Sequence, residues 1–140
     1  MSGPGSIDIL DLASDAVTKV HENGSQPEFS PNGETIAFTT GGRVNVMDSD
    51  GANVRAVGPA ESGGATFSPD GSRLLFTVAG YIVEVPTAGG EPTVVLRDQF
   101  WNADAVSSPD GDTIVFASNH GGNNGSELYS IPVAAATSFR

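Results

Sequence analysis

Ala65 to Phe76 reads ATFSPDGSRLLF, and the same frame stands on either side of it. Upstream is Pro27 to Phe38, PEFSPNGETIAF, and downstream is Ala105 to Phe116, AVSSPDGDTIVF. The turn serines, Ser30, Ser68 and Ser108, are spaced 38 and 40 residues apart. In the turn itself, Pro presets φ for the second position, Asp or Asn tolerates the third, and Gly takes the left-handed conformation that closes a hairpin. The serine hydroxyl is placed to cap nearby backbone groups. An aliphatic residue follows at Ile36, Leu74 and Ile114, then Phe two residues on at Phe38, Phe76 and Phe116. One SPDG is an ordinary surface turn; three in register are a structural period.

A period of about 40 residues built from short strands is that of a β-propeller, each repeat being one four-stranded blade. We letter the strands a to d from the inside of a blade outward. Ile7 to Val20 aligns without gaps, at an offset of 37, with Val44 to Val57, so the chain begins with strands c and d of a split blade. The first whole blade is expected over Gln26 to Val57, with b at Thr35 to Thr39, c at Val44 to Met47 and d at Asn53 to Val57. The second covers Gly64 to Leu96, with b at Arg73 to Val78, c at Tyr81 to Val85 and d at Thr93 to Leu96. The third starts at Asp104, with b at Thr113 to Ser118 and c at Glu127 to Val133, and is incomplete at Arg140. Met1 to Ser6 (MSGPGS) reads as an expression-vector remnant outside the fold. A small β-sandwich is the competing all-β solution, but it does not call for repeats in register.

Composition agrees with this reading. The 140 residues include 18 glycines and 9 prolines, with no long stretch of helical periodicity. Seventeen acidic against six basic residues give a formal net charge of −11, which argues against a nucleic-acid or anionic-membrane partner. No apolar run approaches the length of a membrane-spanning helix. Without cysteine there are neither disulfides nor thiolate metal sites.

The frame [PA]-x-x-S-P-[DN]-G-x-x-[IL]-x-F, followed by a strand, a D-x-D-G-type turn and another strand, resembles the TolB-like β-propeller repeat from Ile7 onward. Asn119-His120-Gly121-Gly122-Asn123 before Glu127-Leu128-Tyr129 is similar to that family's loop into strand c. The chain departs from the pattern at Ser107, which replaces the Phe of Phe29 and Phe67, and in having about three and a half repeats. The resemblance implies a scaffold that engages a protein or peptide through its loop face or channel mouth. It also implies a place outside the bacterial cytoplasm, in the periplasm, although the chain shows no signal peptide. Closed propellers need at least about four blades. The expectation is therefore a half-propeller of about three blades, completed by homodimerisation. Strands c and d at the start of one copy would join a and b at the end of the other, closing a six-bladed ring. A seven-bladed count arises if the last c strand also joins the sheet.

The chemically interesting side chains cluster in the d–a and b–c connections, which lie on one face of a propeller. They are His21, Glu22 and Asn23; Asp98, Phe100, Trp101, Asn102 and Asp104; and Asn119, His120, Asn123 and Asn124. Trp101, the only tryptophan, is an anchor candidate for a partner, or else a lid over a blade junction. The two histidines have neither a G-x-S-x-G partner nor zinc-ligand spacing. Asp48-x-Asp50-Gly51-x-Asn53 resembles a calcium loop but has Pro59 where the twelfth-position Glu belongs, so an ordinary turn is expected. No cofactor is expected; calcium in the axial channel, with Asp104 at an inner-strand start, is the one cation reading left open. Asn23-Gly24-Ser25 and Asn124-Gly125-Ser126 match glycosylation acceptors as short polar turns do by chance. The leading function is a non-enzymatic binding module. The alternatives are the propeller part of an enzyme, as a prolyl-oligopeptidase-like gating domain or a calcium-dependent lactonase-like channel site, or an excised half-propeller without independent function.

Overall fold

The computed structural model describes residues 5–122 and 125–133. Each SPDG-type turn takes the expected form. Gly33, Gly71 and Gly111 adopt φ of 75°, 74° and 77°. Each donates its amide to the carbonyl of the turn's serine at 2.8 Å. The serine hydroxyl donates to the carboxylate or amide oxygen two residues on, at 2.7 Å for Asn32 and Asp70 and 2.6 Å for Asp110. The same hydroxyl accepts from the first amide of the next strand, Thr35, Arg73 or Thr113, at 3.0 to 3.1 Å. Successive turns are neighbours: a Cβ on Gly71 would lie 3.4 Å from Pro31 Cδ, and one on Gly111 3.9 Å from Pro69 Cγ.

Thirteen strands make four antiparallel sheets among the described residues. The split blade is β1 (Ile7–Leu10) with β2 (Val17–His21). The first whole blade is β3 (Ser25–Phe29), β4 (Thr35–Thr40), β5 (Arg43–Asp48) and β6 (Arg55–Ala56), paired in that order. The second is β7 (Ser62–Phe67), β8 (Arg73–Val78), β9 (Tyr81–Pro86) and β10 (Thr93–Leu96). The third is β11 (Asn102–Ser107), β12 (Thr113–Ser118) and β13 (Glu127–Pro132).

Blades stack face to face, which is why the b strands are apolar on both sides. Ile7 of the split blade packs on Ile36, Phe38 and Met47 of the first blade, with Ile9 and Val20 beside them. Ala37, Val44 and Val46 on the opposite face of that blade pack on Leu74, Phe76, Val83 and Val85 of the second. Leu75 and Ile82 continue the pattern onto Ile114 and Phe116 of the third. Phe38 and Phe76 are 1% and 0% exposed, each contributing about 1.5–3 kcal/mol of burial.

Several boundaries differ from expectation. Strands a begin earlier, at Ser25, Ser62 and Asn102, because each contains a bulge; the register slips between Ser25 and Glu28, Gly63 and Thr66, and Ala103 and Val106. At the bulge, Gln26, Gly64 and Asp104 occupy one repeat position with φ of 52°, 65° and 53°. An extra residue in one strand tightens the local twist, here on all three innermost strands. The first d strand shrinks from Asn53–Val57 to Arg55–Ala56. Asn53 is held left-handed, φ 56°, by its Nδ2 donating to Asp48 Oδ2 at 2.6 Å. The amides of Val57 and Gly58 both donate to the Val44 carbonyl at 3.0 Å. Thus the aspartates of the calcium-like stretch serve its own turn, Asp50 Oδ1 accepting from Ala52 N at 2.9 Å.

The last strand stands where the repeat frame expects strand c of the third blade. β13 pairs with β12 along six residues, from Thr113 opposite Pro132 to Ser118 opposite Glu127. It therefore fills the c position of the third blade.

Candidate functional site

Asn102, at the first position of β11, is fully buried. Its Nδ2 donates to Gly80 O at 3.1 Å and Asp98 Oδ1 at 2.9 Å, and its backbone amide also reaches Gly80 O, at 3.2 Å. Asp98 Oδ1 accepts the Phe100 amide as well, at 2.9 Å. One side chain thus ties the d–a loop before the third blade to the b–c turn of the second. Asn102 Oδ1 has no hydrogen-bond partner among the described residues, an uncommon state for a buried amide.

This clamp sets Trp101. Its amide donates to Asn119 Oδ1 at 2.8 Å, and its carbonyl accepts from Asn119 N at 3.2 Å. The indole lies on Gly80, yet 61% of the residue is exposed. Trp101 thus covers a blade junction and presents an aromatic face to solvent. Beside it, Phe100 and His120 rings are 4.1 Å apart, and Tyr129 sits 5.5 Å from His120. Burial and the neighbouring Glu127 push the Tyr129 phenol up from its ordinary pKa.

Trp101 and Asp104 also line an open pocket of about 270 Å³ with Gln26, Glu61, Gly64 and Thr77. The pocket lies where the inner strands begin, on the side of the d–a and b–c connections. Gln26 spans two blades here, its Oε1 accepting from Gly64 N and Thr39 Oγ1, each at 3.1 Å. Four non-glycine residues around it have left-handed backbones: Gln26, Glu61, Ala79 and Asp104. Such conformations are costly and gather where a surface is shaped for contact.

The sequence candidates therefore divide. Asp98, Phe100, Trp101, Asn102, Asn119 and His120 form one connected group, with Asp104 joining it through the pocket. His21, Glu22 and Asn23 sit apart at the junction of the split blade and the first blade. There His21 lies 4.8 Å from Phe38, its Nδ1 is 2.9 Å from Asn23 O, and Glu22 makes an exposed ion pair with Lys19. Asn123 and Asn124 lie outside the described residues. Gln26, Glu61 and Thr77 were not anticipated; aligning Gln26 with Asp104 across the repeats is the signal that finds the first. Among the described residues no hydroxyl or carboxylate side chain is hydrogen-bonded to either imidazole, and no three His, Asp or Glu side chains gather as a metal site.

The blade arrangement has close counterparts among solved structures. TolB from Acinetobacter baumannii superposes with a TM-score of 0.77 at 21% identity, over 92% of this chain and 35% of that one. This is a TolB-like β-propeller fold. A putative TolB from Agrobacterium tumefaciens matches the TolB-like blades at TM-score 0.73 and 18% identity, over 94% of this chain and 51% of that one. Hydrazine synthase of Kuenenia stuttgartiensis carries the same arrangement at 0.76 and 20%, over 94% and 41%. The chain spans about a third to a half of the length of these neighbours. No family model matches the sequence, and no curated protein matches it, so the TolB-like assignment rests on the fold.

Proposed function

We propose that the chain is a non-enzymatic propeller interaction module, acting outside the bacterial cytoplasm, that binds a protein or peptide at the loop face and channel mouth. The observation that carries this reading is Trp101, held by Asn119 and Gly80 with its ring exposed beside the channel-mouth pocket. A clamped, exposed indole offers a large contact area that needs little further ordering on binding, the usual character of an anchor. Glu61 and Asp104 in the pocket, with the net charge of −11, favour a basic partner segment. The fold itself is neutral on activity, since its neighbours include both TolB and an enzyme.

Titration of Trp101 emission against an array of basic, aromatic-containing peptides tests the reading. Saturable binding that weakens at least about tenfold in Trp101→Ala supports it. Unchanged emission across the array, or calcium-dependent esterase or lactonase turnover abolished by Asp104→Ala, overturns it.

A further inference from the structure

The repeat is broken at Ser107, and a cavity lies there. Phe67, its counterpart in the second blade, is 8% exposed and packs with Ala37 and Val46 of the first blade and Leu74 of its own. At the next interface Ser107 lies opposite Ile114, as Phe67 lies opposite Leu74. Glu84 there takes the place of Val46, and Arg73 that of Thr35, and the two form an ion pair. A phenyl ring and an isopropyl group are thus exchanged for a hydroxymethyl group and a polar pair. Protein interiors are normally close-packed. Here a cavity of about 270 Å³ opens between the second and third blades, walled by Ser107, Ile114, Val133, Arg73 and Glu84. Two successive SPDG turns form its rim, with Asp70 on one and Asp110 on the other.

We infer that this cavity binds a small arylalkylamine, its single ring seated in place of the missing phenyl and its ammonium between Asp70 and Asp110. The cavity is at the small end of the range for ligand pockets, with room for one ring and a short chain. The ring meets Ile114 and Val133 on the third blade and the Arg73 guanidinium on the second, a group that favours the face of an aromatic ring. The charge of the opening selects the cation. Asp70, Asp110 and Glu84 border it against one guanidinium, and Arg73 is already paired with Glu84. The hydrogen bonds that hold the two turns converge on Oδ1 of Asp70 and Oδ1 of Asp110, and none of them uses Oδ2. An aryl carboxylate of the same shape would meet net negative charge and be repelled. The site lies at the a–b turns, at the strand ends opposite to Trp101, so it is independent of the loop-face reading.

The probe is phenethylamine, titrated into the intact chain and followed by the methyl resonances of Ile114 and Val133, which an adjacent aromatic ring shifts. Saturable shifts at both are expected. Phenylacetate has the same ring with the opposite charge, and should bind at least about fivefold more weakly. Asp70→Asn with Asp110→Asn keeps the turns, since Asn32 fills that position in the first repeat. The double variant should weaken phenethylamine binding at least about fivefold. Ser107→Phe should abolish binding and raise the melting temperature, because it returns the ring that the other repeats carry. The double asparagine variant decides the matter should Ser107→Phe not fold. Ile114 and Val133 methyls that do not move, phenylacetate binding as tightly as phenethylamine, or a response confined to the Trp101 indole would overturn the proposal.

Discussion

Trp101 rests directly on Gly80: a Cβ added to the glycine would sit 3.0 Å from the indole Cε3. Gly80 also has φ of 82°, a conformation that L side chains rarely adopt. Gly80→Ala is expected to cost about 1 kcal/mol or somewhat more in denaturant unfolding. It should also lift the indole and shift its emission, and an unchanged spectrum would show that the ring is not seated there.

The serine of each repeated turn serves two hydrogen bonds, so its loss should be felt at every copy. Ser68→Ala and Ser108→Ala are each expected to destabilise by about 1 kcal/mol. Ser30→Ala should cost more, because Ser30 is the buried member of the three, 7% exposed. Urea midpoints of the three variants give the order.

Asp70 is held down to a pKa of about 2, first by the Ser72 amide and then by the Ser68 and Ser72 hydroxyls. Asp110 is lowered by the corresponding bonds from Ser108 and Asp112. A carboxylate with a depressed folded pKa contributes stability above its unfolded value, and that contribution is lost as pH falls through the folded one. Melting temperature should therefore decline between about pH 4 and pH 2. Asn32 already occupies this position in the first turn, so Asp70→Asn with Asp110→Asn should keep the turns and flatten that decline. A curve as steep as the parent's would place the acid sensitivity elsewhere.

Glu28 behaves in the opposite sense. Partial desolvation beside the second blade, at a residue that stays exposed, raises its pKa, partly offset by the Phe67 backbone. The folded state then holds the proton more tightly than the unfolded one, so stability falls as pH rises through the folded pKa. Glu28→Gln keeps an acceptor for the Phe67 amide and removes the charge. The variant should melt higher than the parent at pH 7, with the difference gone at pH 4, as differential scanning calorimetry would show.

The spacing of Ser30, Ser68 and Ser108 was enough to place β8, β10 and β12 to the residue. It worked because turn and strand chemistry are both local: Pro, Asp or Asn, and Gly fix the hairpin, and the [IL]-x-F alternation fixes the register behind it. Beyond that local range the reading failed. The bulge on each inner strand carries no common residue, since Gln26, Gly64 and Asp104 share a backbone angle and nothing else. Likewise the seating of Trp101 on Gly80 depends on how two blades stack, which no spacing within one repeat encodes, whereas its pairing with Asn119 extends the β11–β12 ladder of a single blade. Asn102 was recognisable as a loop polar residue, but its burial and its grip on Gly80 were not.

The repeated bulge gives the three innermost strands one backbone shape with three different chemistries. A neutral amide, a bare backbone and a carboxylate stand at equivalent places around the axis in nearly the same left-handed geometry. Each non-glycine occupant bears a steric penalty of about 1–2 kcal/mol there, already met by the chain at Gln26 and Asp104. Exchanging Asp104 changes the local charge without touching a described inter-blade hydrogen bond, whereas exchanging Gln26 removes the bridge its Oε1 makes to Gly64 N and Thr39 Oγ1. One backbone shape thus carries three chemistries, and at Gln26 the side chain also ties two blades together.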